Sequence, residues 1–430
     1  MIFALIGFVV MLLLMLIGMP IGFAMLTTGF VGYGLLTNFT AAKGLLSLVP
    51  FDQVAVYSMS VIPLFTLMGE FGFRSGVVSD AYTAADKWIG HHRGGLCMAT
   101  TVACACFAAM TGSSIAGSSI MTQVAWPEMK KRKYKAMLGL GAIAAGGTLG
   151  IMIPPSTPMI TFGILTSTSV GKLFLAGVIP GVLLTIAFCL VTVIVTRIDK
   201  DAAPGGKKAS WKERFSSLKG VWLMLLLIII VMGGIWGGFF TPTEAAAIGS
   251  FGTFLISLGR KTMSFRDFKM CLRNSMKITA MIFLLLIGAS VFSSFITVTK
   301  APTIIASWVA QSHLSSGLVI FVMCLTYLIL GCLMDTLSMI LLTLPIFAPI
   351  VTAMGYDMIW FGILVILMTQ LGSITPPVGI NVFVVGGMVK EVPMSEVFRG
   401  IIPFLIALII VTILIVVFPH IALYLPQIIS

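Results

Sequence analysis

The sequence predicts an all-α polytopic membrane protein. It also predicts two inverted-topology repeats, each with a re-entrant helical hairpin and a broken transmembrane helix. Three observations lead there. The 430 residues are 59% hydrophobic and only 9% charged, and the mean hydropathy is +1.12. A Gly- and Pro-rich stretch near position 150 reappears at an offset of 222 residues. The Lys and Arg residues gather in short clusters between apolar runs.

Runs of about 20 apolar residues recur along the chain, and each is long enough to cross a hydrocarbon core. Too few charged residues remain for a sizeable soluble domain. The net charge of +12 does not indicate nucleic-acid binding, because the basic residues fall between the apolar runs. "KKRKYK" spans Lys130 to Lys135, residues 197–219 carry seven Lys and Arg, and 260–277 carry six. Such clusters mark cytoplasmic loops, and a solvated, topology-fixing role accounts for them. The cysteines at 97, 104, 106, 189, 271, 324 and 332 show no metal spacing and read as small buried hydrophobes. The histidines at 91, 92, 313 and 420 form no metal motif. The N-terminal apolar run has neither a basic n-region nor a small-residue cleavage site, so it reads as a retained span. "AAGGTLG" (144–150) lacks the ending of a phosphate loop and suits tight helix contact instead. No paired carboxylates and no nucleophile with a base appear, so no enzyme is expected.

The repeat carries the argument further. "PEMKKRKYKAMLGLGAIAAGGTLGIMIPP" (127–155) aligns without a gap to "PIVTAMGYDMIWFGILVILMTQLGSITPP" (349–377). Pro127 meets Pro349, Tyr134 meets Tyr356, Gly150 meets Gly372, and Pro154 and Pro155 meet Pro376 and Pro377. "GVIP" (177–180) likewise matches "GIIP" (400–403). The flanks differ in charge: Tyr134 sits among lysines, whereas no Lys or Arg lies between Lys300 and Lys390. A basic flank belongs inside and a bare one outside, so the halves should be inverted in the membrane.

Residues 1–53 are read as N-terminal transmembrane helices, two of them within 1–37 separated by a turn at "GMPIG". Residues 54–196 form repeat 1, with a span near 54–73, a hairpin at about 95–127, a broken helix at about 136–168 and a span at 172–196. Residues 197–277 hold basic cytoplasmic loops and two connecting helices, 218–240 and 244–259. Residues 278–418 form repeat 2, with spans at 278–298 and 397–418, a hairpin at about 314–352 and a broken helix at about 358–388. Residues 419–430 are a C-terminal tail, and both termini are external. Glu70 and Arg74, four apart at a span end, are expected to pair. Glu244 in "TPTEAA" reads as a first-turn residue of the next helix.

Each double proline should unwind its helix for several residues. That exposes carbonyls, which suit a cation, and N–H groups, which suit an anion. Irregular backbone at membrane depth is tolerated only when buried in protein or lining a cavity. A simple proline kink explains one break; two breaks at matched positions favour a binding site. The hairpin tips, "MTGSSIAGSS" (110–119) and "GCLMDTLSM" (331–339), supply hydroxyls from Ser113, Ser114, Thr336 and Ser338. Asp335 is the one Asp, Glu, Lys or Arg between Lys300 and Asp357. An intramembrane carboxylate needs a partner: a sodium ion, a proton, or the start of a helix that it caps.

"GSSIAGSS", "PEMKKRKY", "GGTLGIMIPPSTPMI", "GKLFLAGVIPG" and "GSITPPVGINVFVV" together closely resemble the large, DctM-like membrane subunit of TRAP (tripartite ATP-independent periplasmic) transporters. The resemblance covers nearly the whole chain. It implies an elevator-type, sodium-coupled importer of small organic anions, multi-pass in the bacterial cell inner membrane. It also implies two partners, a small four-helix membrane subunit and a periplasmic substrate-binding protein. Carried onto this sequence, it places one sodium ion among Gly112, Ser113, Ser114, Gly150 and Pro154. A second falls among Asp335, Thr336, Gly372 and Thr375. Substrate would sit near Ser114, Ser156, Thr157, Thr336, Gly379 and Asn381. Ser113 stands where the second tip has Asp335, so the first site would rely on neutral oxygens. No basic residue lies in either tip or break, so bound sodium, half-helix N-termini, or a remote cation such as Lys300 would neutralise the anion. Three other readings stand beside this one: proton coupling through Asp335, a channel-like pore, and a purely structural subunit.

Overall fold

The structure is a computed structural model that describes residues 2–311 and 315–429. His313, position 314 of the second hairpin, and the two terminal residues lie outside the described residues. Among the described residues every regular element is a helix. Its first half runs α1 Ile2–Leu16, α2 Ile21–Leu36, α3 Phe39–Val54, α4 Val61–Arg74, α5 Val77–Ile89, α6 Gly95–Thr111, α7 Ser114–Lys131, α8 Ala136–Thr148, α9 Thr157–Leu165 and α10 Val170–Ile198. The second half runs α11 Trp211–Leu218, α12 Trp222–Trp236, α13 Pro242–Gly259, α14 Phe265–Val298, α15 Ala301–Gln311, α16 Ser316–Gly331, α17 Thr336–Ala353, α18 Met358–Ile374, α19 Ile380–Met388, α20 Met394–Val417 and α21 His420–Ile429. Four of these, α10, α14, α17 and α20, are each long and apolar enough to cross a membrane.

Several elements differ from the sequence reading. Residues 39–54 received no span but form α3, which meets the Tyr57–Arg74 segment at 60°. The basic stretch 260–277 is not a loop over most of its length. A Ser264–Asp267 capping box starts α14 there, and the helix runs 34 residues, roughly 50 Å at 1.5 Å per residue. The expected tail carries α21. Glu70 and Arg74 do not pair. Arg74 donates instead to Asp267 at 3.0 Å, and Glu70 accepts from the Asn274 amide at 3.1 Å. Packing α4 beside the start of α14 offers both side chains better-placed partners than each other. Glu244 takes its expected place, closing a capping box with Thr241 at the start of α13.

The helices pack in two groups. α1–α4 pack with α12–α14, and α6–α10 pack with α16–α21. The groups meet where α4 crosses α6 and α9, and where α14 crosses α17.

The hydrogen bonds of the basic face fix the orientation of the first hairpin. Gly94 N–H donates to Ala203 O, Lys135 N–H to Ala202 O, and Gly206 N–H to Gly90 O. Arg132 grips Asp86 bidentately at 2.7 and 3.1 Å. The loops before α6 and after α7 therefore end on one face, and the hairpin between them is re-entrant. α8 starts at that same face. The start of α18 lies at the opposite one, where Trp360 Nε1 donates to Ile415 O near the end of α20. The beginning of α20 is on the basic side, tied by the Lys130–Glu391 pair just ahead of it. The hairpin α16–α17 leads directly into α18, so it opens on the face opposite that of α6–α7. The two repeats are inverted.

Candidate functional site

Each hairpin turns at a capped helix start. Ser113 caps α7, its hydroxyl accepting from Ala116 N–H at 3.4 Å. At the matched position Asp335 caps α17, one carboxylate oxygen accepting from Leu337 and Ser338 N–H at 3.1 and 3.3 Å. The other oxygen accepts from the Ser338 hydroxyl. Asp335 takes the helix-capping role weighed for it. Tyr327 and Thr343, joined at 2.8 Å, pin the two arms of the second hairpin together.

Each tip abuts the break of its own repeat. Gly112 turns the first tip with φ +57°, and a Cβ there would lie 2.9 Å from Thr157 N and 3.1 Å from Pro155 O. A Cβ on Gly150 would lie 2.6 Å from Ser113 O. Gly112, Ser113, Gly150 and Thr157 are thereby brought together, with Ser114 buried beside them. Pro154 faces elsewhere, lining an apolar cleft with Val178, Val182 and Trp236; the carbonyl turned toward Gly112 belongs to Pro155. In the second repeat the approach is Gly331 against Gly372, where a Cβ on Gly372 would lie 2.5 Å from Gly331 Cα. Cys332 Sγ reaches Pro376 O at 3.6 Å. Thr375 donates its hydroxyl to Leu371 O at 2.6 Å. Thr336, the first residue of α17, is half-buried.

The breaks end in two short helices that point N-termini into the protein. Ser156 caps α9, donating to Ile151 O at 2.7 Å while accepting from Met159 N–H. Gly379 caps α19 in the left-handed region with φ +57°, a conformation glycine adopts without a Cβ penalty. α19 lies along α7, with the Ser119 hydroxyl 3.4 Å from Met388 Sδ. Asn381, in the first turn of α19, is fully buried. Both its amide oxygen and its amide nitrogen lack a hydrogen-bond partner. Each such buried orphan costs roughly 1–3 kcal/mol.

Gln370 shares that condition: it is fully buried, with both amide atoms unpaired. Ser118, on the α7 face against Gly147, is fully buried and its hydroxyl lacks a partner. The sequence reading missed both. A carboxamide inside the run "MIWFGILVILMTQLG" was the available signal for Gln370.

A second missed feature is a polar cavity of about 670 Å³ between the two helix groups. Ser290, Ser293, Ser294 and Thr297 line one wall as a stripe along α14, the i, i+3, i+4, i+7 spacing of one helix face. Leu341, Leu344, Pro345 and Pro349 of α17 face them, with Tyr33, Gln53 and Thr166 at the sides. α14 begins on the basic face, so its final turns, and the cavity with them, lie toward the other. None of the residues proposed from sequence lines this cavity.

Re-entrant hairpins against broken helices, arranged as inverted repeats, define a multi-pass membrane transport protein. Within that class the chain belongs to the DctM component family of tripartite ATP-independent periplasmic transporters, whose family model matches residues 8–421. It is 36% identical to the C4-dicarboxylate TRAP transporter large permease protein DctM of Pseudomonas aeruginosa, over 88% of each chain. It is 32% identical to the sialic acid TRAP transporter large permease protein SiaM of Vibrio cholerae, over 96% of each. The crystal structure of the Alcanivorax borkumensis YdaH transporter shares the fold, with a TM-score of 0.66 at 15% identity over 97% of this chain and 98% of that one. The chain is therefore a large permease subunit of the bacterial inner membrane, not an enzyme. Its family works with a small membrane subunit and a periplasmic binding protein.

Proposed function

We propose that this subunit imports a small organic anion, a carboxylate or sulfonate, in symport with sodium ions by an elevator mechanism. A periplasmic protein would deliver the anion, and a four-helix partner subunit would enlarge the α1–α4, α12–α14 scaffold. The observation that carries this reading is the pairing of each hairpin tip with its own helix break. Backbone carbonyls and hydroxyls meet at the first pairing, and the Asp335 carboxylate stands at the tip of the second hairpin; these are the hard oxygens a hard cation selects. Gly112, Ser113, Ser114, Gly150 and the Pro154–Pro155 segment would hold one ion. Asp335, Thr336, Gly372 and Thr375 would hold the other.

The N–H ends of α9 and α19 supply positive partial charge for an anion. Ser114, Ser156, Thr157, Thr336, Gly379 and Asn381 would orient it. The unpaired Asn381 amide fits a site that bound substrate or ion completes. The two relatives are named for C4-dicarboxylates and for sialic acid, which supports a carboxylate.

The test is uptake into proteoliposomes holding this chain, its small subunit and the loaded binding protein. Concentrative, saturable uptake should vanish when external sodium is replaced by choline. Uptake that survives in choline and collapses with the proton gradient would overturn sodium coupling. Flux that only dissipates a gradient would replace the importer with a pore.

A further inference from the structure

The basic face holds a cluster of cationic and aromatic side chains that the transport site does not use. It is built around α11, eight residues fixed at their start by a Ser210–Glu213 capping box. α11 meets the apolar α12 at 49°. Trp211 and Phe215 on it are 65% and 60% exposed. A short helix that leads into a span and bares aromatic side chains lies in the headgroup layer, its rings at the acyl boundary.

Arg214 turns the other way and is only 7% exposed. Its guanidinium carbon lies 5.2 Å from the centre of the Trp211 ring. Its Nε and one Nη are buried with no hydrogen-bond partner. The Trp88 indole donates to the Arg214 carbonyl at 3.2 Å and holds Trp211 and Phe215 edge-on, with ring centres 6.3 and 5.8 Å away. On the adjoining loop the His91 and His92 rings are 3.9 Å apart, and His91 Nδ1 is likewise buried and unpaired. Desolvation holds the His91 imidazole below its ordinary value, and the neighbouring His92, Arg214 and Lys208 add to that.

The neighbouring carboxylate, Glu213, is already engaged by the Ser210 cap and by Lys87 at 3.8 Å. No ion pair to Arg214 occurs among the described residues. A buried cation left unpaired is costly, and the groups around it are cations, donors and aromatic rings.

We propose that this cluster binds the phosphate of an anionic membrane lipid, held by Arg214, His91 and Lys208. The planar guanidinium fork matches phosphate oxygens. A lipid is favoured over soluble phosphate because α11 carries the cluster at headgroup depth. The clustered Lys and Arg place it on the leaflet side where anionic lipid attracts basic segments.

The test uses the full chain in nanodiscs of phosphatidylcholine, with or without added phosphatidylglycerol. Lipid retention is read by native mass spectrometry, and thermal stability is read in parallel. The wild type should retain phosphatidylglycerol over phosphatidylcholine and gain stability from it. Arg214→Gln should cut that preference roughly tenfold, the size of one charge-assisted hydrogen bond. Lys261→Gln removes the same charge from a different basic segment and should change nothing. Brominated phosphatidylglycerol should quench tryptophan fluorescence in the wild type and less so in Lys208→Gln, a surface change that keeps the test decisive if Arg214→Gln does not fold. Equal preference in wild type and both cluster variants would overturn the proposal. So would inorganic phosphate, or the small membrane subunit, giving the same stabilisation in phosphatidylcholine alone.

Discussion

Asp335 caps a helix in the structure and is proposed to bind an ion, and one side chain can do both because a carboxylate has more lone pairs than the cap uses. The two roles separate by substitution. Asparagine caps about as well as aspartate, whereas alanine loses about 1 kcal/mol. Asp335→Asn should therefore keep near wild-type thermal stability and lose sodium-dependent uptake. Asp335→Ala should lose both. Full uptake in Asp335→Asn with an unchanged sodium dependence would remove the residue from the ion site. Asn381 was legible in sequence only through family resemblance, and Gln370 was not singled out. An amide's burial and its lack of partners are properties of its neighbours, and no local pattern encodes them.

The hairpins and breaks are the elements on which the proposed mechanism depends, and close backbone approach joins them. Gly150 faces the Ser113 carbonyl at a distance that leaves no room for a methyl group. Gly150→Ala should push the first tip off its break at an overpacking cost of roughly 1–3 kcal/mol. Hydrogen exchange across 110–116 should quicken, and the sodium concentration for half-maximal uptake should rise. Gly117→Ala is the control, since its Cβ would meet Gly147 O at an ordinary 3.4 Å. Identical exchange in both variants would show that the tip does not rest on the break. Double prolines, glycines and matched spacing made these elements readable. The missed elements, among them α3, α5, α11, α15 and α21, carry no double proline and no matched repeat position in the sequence. α14 was read too short because its amphipathic first turns look like a basic loop.

At the scale of the whole molecule, two helix groups meet across a polar cavity. An elevator would slide α17 along the hydroxyl stripe of α14. That cavity should be reachable from outside. With the half-buried native cysteines replaced, Ser293→Cys should react with a membrane-impermeant thiol reagent from the outer face. Reaction should slow when sodium and substrate are present. Lys261→Cys should react only from the inner face. Labelling of Ser293→Cys solely from the inner face would invert the assigned orientation.

Sequence alone determined the membrane class and pointed to the inverted repeat and to the tips and breaks. These follow from composition, charge bias and backbone-breaking residues, each of which acts within a few residues of its own position. The partners came only with the tertiary fold. Arg74 is bound to Asp267 and not to Glu70, Asp335 is turned into its own helix, and the Gln370 and Asn381 amides are buried unpaired. The α14 stripe faces α17 across open space, and Arg214 is enclosed by aromatic rings. Each depends on which helix lies alongside, and that is decided by packing between segments far apart in the chain.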